Sequence, residues 1–253
     1  MRKLFYLITT LLLVNTLLLG QDTLRKKKFY IGTFASPDFS YRVLLPLFNG
    51  NTTIGNFIKH ERDSTEIPRF AYTFGLDFLY QFKKGIALSW SIQYSLKGYE
   101  TRTENLSFGS GQIRRGFISP VITTSQTPTS VYFKYNINYV DIPIRVDIYL
   151  SKEKVAPFIS AGISTNIFLY SQNISYLTYA DGHHSSSSSV SQGGYSMINP
   201  QVQLGGGVDI AFNKSRLRIL PIVRASVLSD ISGVPIHEYL WSYGLGISYL
   251  FGV

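Results

Sequence analysis

From Ile86 to Lys97 the chain alternates without a slip. Ile86, Leu88, Trp90, Ile92, Tyr94 and Leu96 share one parity, and Ala87, Ser89, Ser91, Gln93, Ser95 and Lys97 the other. A strand sends successive side chains to opposite faces, so this segment has one apolar and one polar face; a helix would scatter both sets. Its length suits a tilted strand crossing the hydrocarbon layer, which needs about ten residues.

The pattern recurs along the chain. Phe70 to Tyr80 sets Phe70, Tyr72, Phe74, Leu76, Phe78 and Tyr80 against Thr73, Asp77 and Gln81. Val140, Ile142, Ile144, Val146 and Ile148 oppose Asp141, Arg145 and Asp147, within a segment from Val131 to Leu150. Phe158–Tyr170, Asn199–Phe212, Leu217–Val227 and Trp241–Phe251 alternate likewise. The first strand starts at Phe29; Pro37-Asp38 interrupts it, so a strand to about Phe34 and a second, external piece to Leu47 are expected. Asn49-Gly50 is a turn signal, and Thr53 to Lys59 pairs back as an external hairpin or as two further barrel strands. His60 to Pro68 reads as charged loop.

These segments give eight strands, ten with the optional pair. Connections near 40–68, 100–130, 171–198 and 229–238 are long, and those near 82–85, 151–155 and 213–216 are short. Ser185 to Ser189 reads as a flexible loop tip, and Arg114-Arg115 falls in the long loop before Ser130. Sorting of loops by length marks an antiparallel up-and-down transmembrane β-barrel of the outer membrane, with short periplasmic turns and long external loops. The fold class is therefore all-β. None of the apolar faces carries a charge, and a one-residue slip would turn Asp77, Asp209, Arg218 or Arg224 toward lipid at about 2–4 kcal/mol each near the midplane.

Composition agrees: aromatics are 15%, charged residues only 15%, and there is no cysteine. The missing thiol excludes a lipoprotein anchor, a disulfide framework and thiolate chemistry. Arg2-Lys3 followed by an apolar run to Leu19 reads as a signal peptide over residues 1–20, leaving a barrel domain over 21–253. Without Arg2 and Lys3 there are 22 basic and 15 acidic residues, a formal +7. Apart from Arg25-Lys26-Lys27-Lys28 the excess is scattered, which suits a membrane-surface end rather than nucleic acid.

Facing the lumen are Asp77, Lys97, Arg145, Asp147, Asn166, Asp209, Arg218 and Arg224. Eight strands leave an interior just wide enough for side chains to fill, so these groups are expected to satisfy one another as a polar network. His60, His183, His184 and His237 fall in expected external loops; His183-His184 lacks the carboxylates of a good metal site. Neither a catalytic set, a metal site nor a cofactor site is expected. Gly205-Gly206-Gly207 lacks the helix and Lys-Ser/Thr of a phosphate loop. The expected partners are outer-membrane lipid and other outer-membrane or periplasmic proteins. Two alternatives stand beside this non-enzymatic reading. One is an outer-membrane enzyme at the barrel rim, using a residue such as His237 or Glu238. The other is a soluble exported lipocalin-like barrel, which would put the Trp90 face inside.

The segment Tyr139-Val140-Asp141-Ile142-Pro143-Ile144-Arg145, the alternating strand ending at Phe251, and Ser36-Pro37-Asp38-Phe39-Ser40-Tyr41-Arg42 resemble the small outer-membrane β-barrel proteins of the Bacteroidetes, the PorT-like group. The resemblance covers most of the chain after residue 20 and is mainly architectural. Gly252-Val253 after Phe251 departs from the aromatic terminus usual in such barrels. It implies an outer-membrane location and little chemistry.

Overall fold

Alternation on each of the eight expected strands, with one apolar face, leaves sheet closure as the only way to remove both edges in lipid. The computed structural model describes residues 28–46, 52–83, 85–104, 106, 128–151, 153–231 and 236–253. The expected signal peptide, Arg25 to Lys27, Asn49-Gly50 and Arg114-Arg115 lie outside them. The strands are β1 (Phe29–Pro46), β2 (Glu66–Lys83), β3 (Ile86–Thr103), β4 (Pro128–Tyr149), β5 (Val155–Tyr179), β6 (His184–Ser191), β7 (Ile198–Ala211), β8 (Ser215–Ser226) and β9 (Ile236–Gly252), with one helix, α1 (Thr52–Thr65).

All pairings are antiparallel, and β1 bonds both β2 and β9, so β1–β5 and β7–β9 close a ring of eight. The apolar set of β3 faces outward, Ile92 being 54% exposed, while Ser89, Ser91, Gln93, Ser95 and Lys97 are buried inside. An inside apolar pocket of the lipocalin kind is thereby overturned, because the ring turns its polar parity inward. Leu79, Ala87, Ala156, Phe158, Leu220 and Leu250 pack as an apolar floor at the short-turn end. Ile137, Tyr139, Phe168 and Leu240 form a second apolar layer toward the loop end.

Aromatic clusters mark two levels on the outside. Phe29, Phe78 and Trp90 stack with centroids 5.5–6.5 Å apart near the short turns. Phe39 meets Tyr243 at 5.5 Å and Phe70 at 6.0 Å toward the loops. Phe29 and Phe39 lie ten residues apart on β1, roughly 34 Å along the strand, and a tilt of about 40° reduces this to roughly 26 Å, the height of an outer-membrane apolar band.

Four expectations are corrected at the loop end. First, β1 does not stop at Phe34 but runs to Pro46, because Pro37 turns its ring outward and costs the β1–β9 ladder only its rungs between Ala35 and Asp38. Second, residues 52–65 form a helix rather than a strand, a charged loop or a ninth and tenth barrel strand; Lys59 and Asp63, one turn apart, pair at 2.6 Å. Third, the 171–198 loop is largely β-structure. β5 continues to Tyr179, turns at Gly182 with φ +81°, and β6 pairs back from His184 to Ser191. Fourth, β9 already begins at Ile236, inside the expected 229–238 loop. The outer halves of β3, β4 and β5 thus rise with β6 as a wing above the ring: β7 leaves β5 at Ile167, and β5 continues for another twelve residues.

Candidate functional site

Each lumen side chain is placed by strand parity, and each buried charge needs a counter-charge and hydrogen bonds to offset its desolvation. All eight residues singled out in the sequence, Asp77, Lys97, Arg145, Asp147, Asn166, Asp209, Arg218 and Arg224, are buried in the interior, Asp77 and Asp147 with no exposed surface.

They assemble as linked clusters rather than one site. Nearest the floor, Arg218 Nη2 donates to Asp147 at 2.7 Å, and its Nε lies 3.6 Å from Asp209. Asp209 also accepts from the Tyr149 hydroxyl at 2.6 Å and faces Arg216 at 3.5 Å. The Arg218 guanidinium lies 4.4 Å over the Phe158 ring, so the apolar floor also serves the cation. Higher up, Asp77 accepts from Ser91 and Ser248 at 2.7 Å each and from Arg145 at 3.4 Å. Lys97 pairs with Asp141 at 2.9 Å and donates to Gln201 at 3.1 Å. Asn166 joins this group: with its amide turned to suit its neighbours, it donates to Asp141 at 3.1 Å and accepts from Lys97 at 2.8 Å.

Arg224 finds its partner where the sequence reading placed a break. Asp38, on the uninterrupted β1, accepts from Arg224 at 3.0 Å, Ser36 at 2.5 Å and Thr73 at 2.7 Å. Its carboxylate rests on the β9 backbone at Gly244, where a Cβ would clash with Asp38 Oδ1 and stand 2.6 Å from the Pro37 carbonyl. Asp38 and Asp141 were the missed members. The parity of Ser36, Asp38, Ser40 and Arg42 would have found the first once Pro37 was allowed an edge-like rung.

Above these pairs a separate charged cluster occupies the external mouth. Arg42 bonds Glu66 through Nε at 2.9 Å and Glu238 through Nη1 at 2.6 Å, and stacks 3.7 Å over the Tyr99 ring. Beside it, Tyr41, Lys59, Asp63, Ile67 and Pro68 help line a cleft of about 310 Å³ under α1. Glu238 is therefore held by Arg42 at the mouth, on a strand rather than in a loop. The histidines do not converge: His60 is on α1, His183 in the β5–β6 turn, His184 at the start of β6 beside Thr178, and His237 on β9. Among the described residues no group of three or more His, Cys, Asp or Glu side chains is arranged to hold a metal ion.

The interior is thus a stack of mutually neutralising pairs between two apolar layers. It can fix the register of all eight strands and bar a wide aqueous path. Its ionised groups are occupied by one another.

Comparison with known proteins gives low-identity structural matches throughout. The crystal structure of OprG from Pseudomonas aeruginosa is 11% identical, covering 92% of this chain and 100% of that one with a TM-score of 0.42. Neisserial surface protein A is 10% identical, covering 89% and 97% at TM-score 0.40. The Ail attachment invasion locus protein of Yersinia pestis is 12% identical, covering 88% and 99% at 0.32. At such scores these matches add nothing to the strand pairing itself. A search of curated proteins gives no match. A family model described as the outer membrane protein beta-barrel domain matches residues 44–225, well over half of the chain, and the chain belongs to that family.

Proposed function

We propose that this protein is a non-enzymatic outer-membrane barrel of the PorT-like group in the Bacteroidetes, exported by a signal peptide cleaved after residue 20. It acts by presenting its external surface to other outer-membrane proteins. Outer-membrane lipid is its constant partner through the outward face.

One contrast carries this reading. The lumen is filled with paired charges, as between Arg218 and Asp147 at 2.7 Å, while β3–β6 build a folded wing above the ring. Binding energy and specificity reside in ordered external β-structure, and the barrel serves as its anchor. The polar path needed for solute flow is spent on internal pairing.

Co-purification from intact outer membrane tests this. The wild-type chain is compared with a variant whose residues 172–190 are replaced by a two-residue Asn-Gly turn, which removes the β5–β6 hairpin and spares the ring. Protein partners retained by the wild type and lost by the variant are expected. Equal capture by both, or an open-pore conductance of the wild type in planar bilayers, would overturn the proposal. So would a lipid or peptide hydrolase activity abolished by His237→Ala.

A further inference from the structure

Seven carboxylate side chains with described surroundings are buried in the barrel and its mouth: Asp38, Asp77, Asp141, Asp147, Asp209, Asp230 and Glu238. Six have an Arg or Lys nitrogen within 4.0 Å. Asp230 is the exception among the described residues, though only 1% exposed. It belongs to the segment after β8, a strap over residues 228–231 whose Asp230 side chain turns inward at the mouth while Leu228 stays 55% exposed.

The strap is stitched down by neutral donors. Asp230 Oδ2 accepts from the Leu240 backbone N–H at 2.9 Å, and Oδ1 accepts from the Asn199 amide and from the Tyr139 hydroxyl at 3.4 Å. The Asp230 N–H donates to the Glu238 carbonyl, and the Ser196 N–H to the Asp230 carbonyl, each at 2.7 Å. Ser196 also donates its hydroxyl to the Ser229 carbonyl at 3.1 Å. One carboxyl thereby ties the strap to β4, β7 and β9. The charged and titratable groups facing it are Lys97 on β3, Tyr139 and Asp141 on β4, Tyr195 before β7, and Glu238 on β9, with Arg42 behind. Lys97 is committed to Asp141 and Arg42 to the two glutamates.

We propose that Asp230 is a proton-operated latch, holding the strap docked over the external mouth when the carboxyl is protonated and loosening it when the carboxyl ionises. An anion desolvated among neutral donors is less stable than the same anion in water, and the neutral acid keeps a partner for its proton once the Tyr139 hydroxyl, 3.4 Å away, rotates to accept it. Burial above all, and then Glu238, push the docked carboxyl up to about 7, against the opposite pull of the Leu240 N–H, Lys97 and Asn199. Undocked, the carboxyl is solvated and titrates near its ordinary 3.8. Between these values the docked state holds a proton that the undocked state lacks. Docking is therefore strongest in acid and weakens by about tenfold per pH unit as pH rises, levelling off above about 7. Release uncovers Tyr139 and the Lys97–Asp141 pair, a polar surface otherwise roofed by the strap.

Hydrogen–deuterium exchange of the full barrel in lipid nanodiscs tests the latch. Peptides covering residues 192–199 and 227–231 are followed from pH 5 to 8 and corrected for intrinsic exchange. The wild type should lose about tenfold in protection per unit up to about pH 7 and then level off. Asp230→Asn, neutral at every pH, should be flat and protected throughout. A flat wild-type profile overturns the proposal, and so does an unchanged slope in the variant. Should the variant not fold, carboxyl-carbon NMR of wild-type Asp230 decides: a midpoint near 7 supports the latch and one near 4 overturns it.

Discussion

Removing Asp38 should cost more than removing any one exposed charge, because it leaves Arg224 buried without its counter-ion. At 3.0 Å and an effective dielectric of about 20 the pair attracts by roughly 5 to 6 kcal/mol. Arg224 Nη2 already lacks a hydrogen-bond partner among the described residues, so little remains to solvate the cation. We expect Asp38→Ala to destabilise by about 3–5 kcal/mol, a large share of the 5–15 kcal/mol typical of whole domains. Arg224→Met should sit at the lower end of that range, since Ser36 and Thr73 still donate to the carboxylate. The double variant should lose much less than the sum, with a coupling energy of about 2 kcal/mol or more. Equilibrium urea unfolding in phospholipid vesicles reads all four proteins, using the fluorescence of Trp90 and Trp241, which face outward near the two aromatic levels. A loss below about 1 kcal/mol for Asp38→Ala, or strict additivity, would refute the idea that paired charges rather than trapped water hold the lumen together.

Gly244→Ala should mimic part of this effect by driving the Asp38 carboxylate off the β9 backbone; lost heat-modifiable gel mobility, a standard sign of barrel opening, is the readout. Ile144→Arg, on a face that is 49% exposed between the aromatic levels, should cost about 2–4 kcal/mol in vesicle refolding. Arg218→Met should cost about 3–5 kcal/mol by stranding Asp147, against little change for Lys59→Met on the exposed α1 pair. Arg42→Ala should leave Glu66 and Glu238 facing each other at the mouth and raise the rate of limited proteolysis near residues 236–240, with little change at the short turns.

The membrane-spanning half was legible because one rule governs it. Lipid admits no outward charge and no open edge, so parity alone fixed the faces of β2, β3, β7 and β8. The external half obeys no such rule. Thr53 to Lys59 is short and mixed enough to read as strand, and only the spacing of Ile54, Phe57, Ile58 and Glu61 hints at a helix. Asp181-Gly182 was the overlooked signal of the β5–β6 hairpin, since that dipeptide supplies a positive-φ turn. The serine run has little strand propensity of its own and is held there by pairing with residues 171–178. Asp230 was hidden for another reason: its role depends on a loop folding inward, which periodicity does not report.

The uneven heights of the strands also set how the molecule bears load. Among the described residues β6 pairs along one side only, with β5, so a pull on the turn at Gly182 opens its rungs one at a time, as a zipper does. β5 is flanked by β4 on one side and by β6 and then β7 on the other, from Tyr179 down to Val155. A pull along β5 therefore strains many rungs together in shear. A ligand gripping the serine edge meets a compliant tab, and one gripping the β4–β5 ridge meets a mast rooted through the full depth of the membrane.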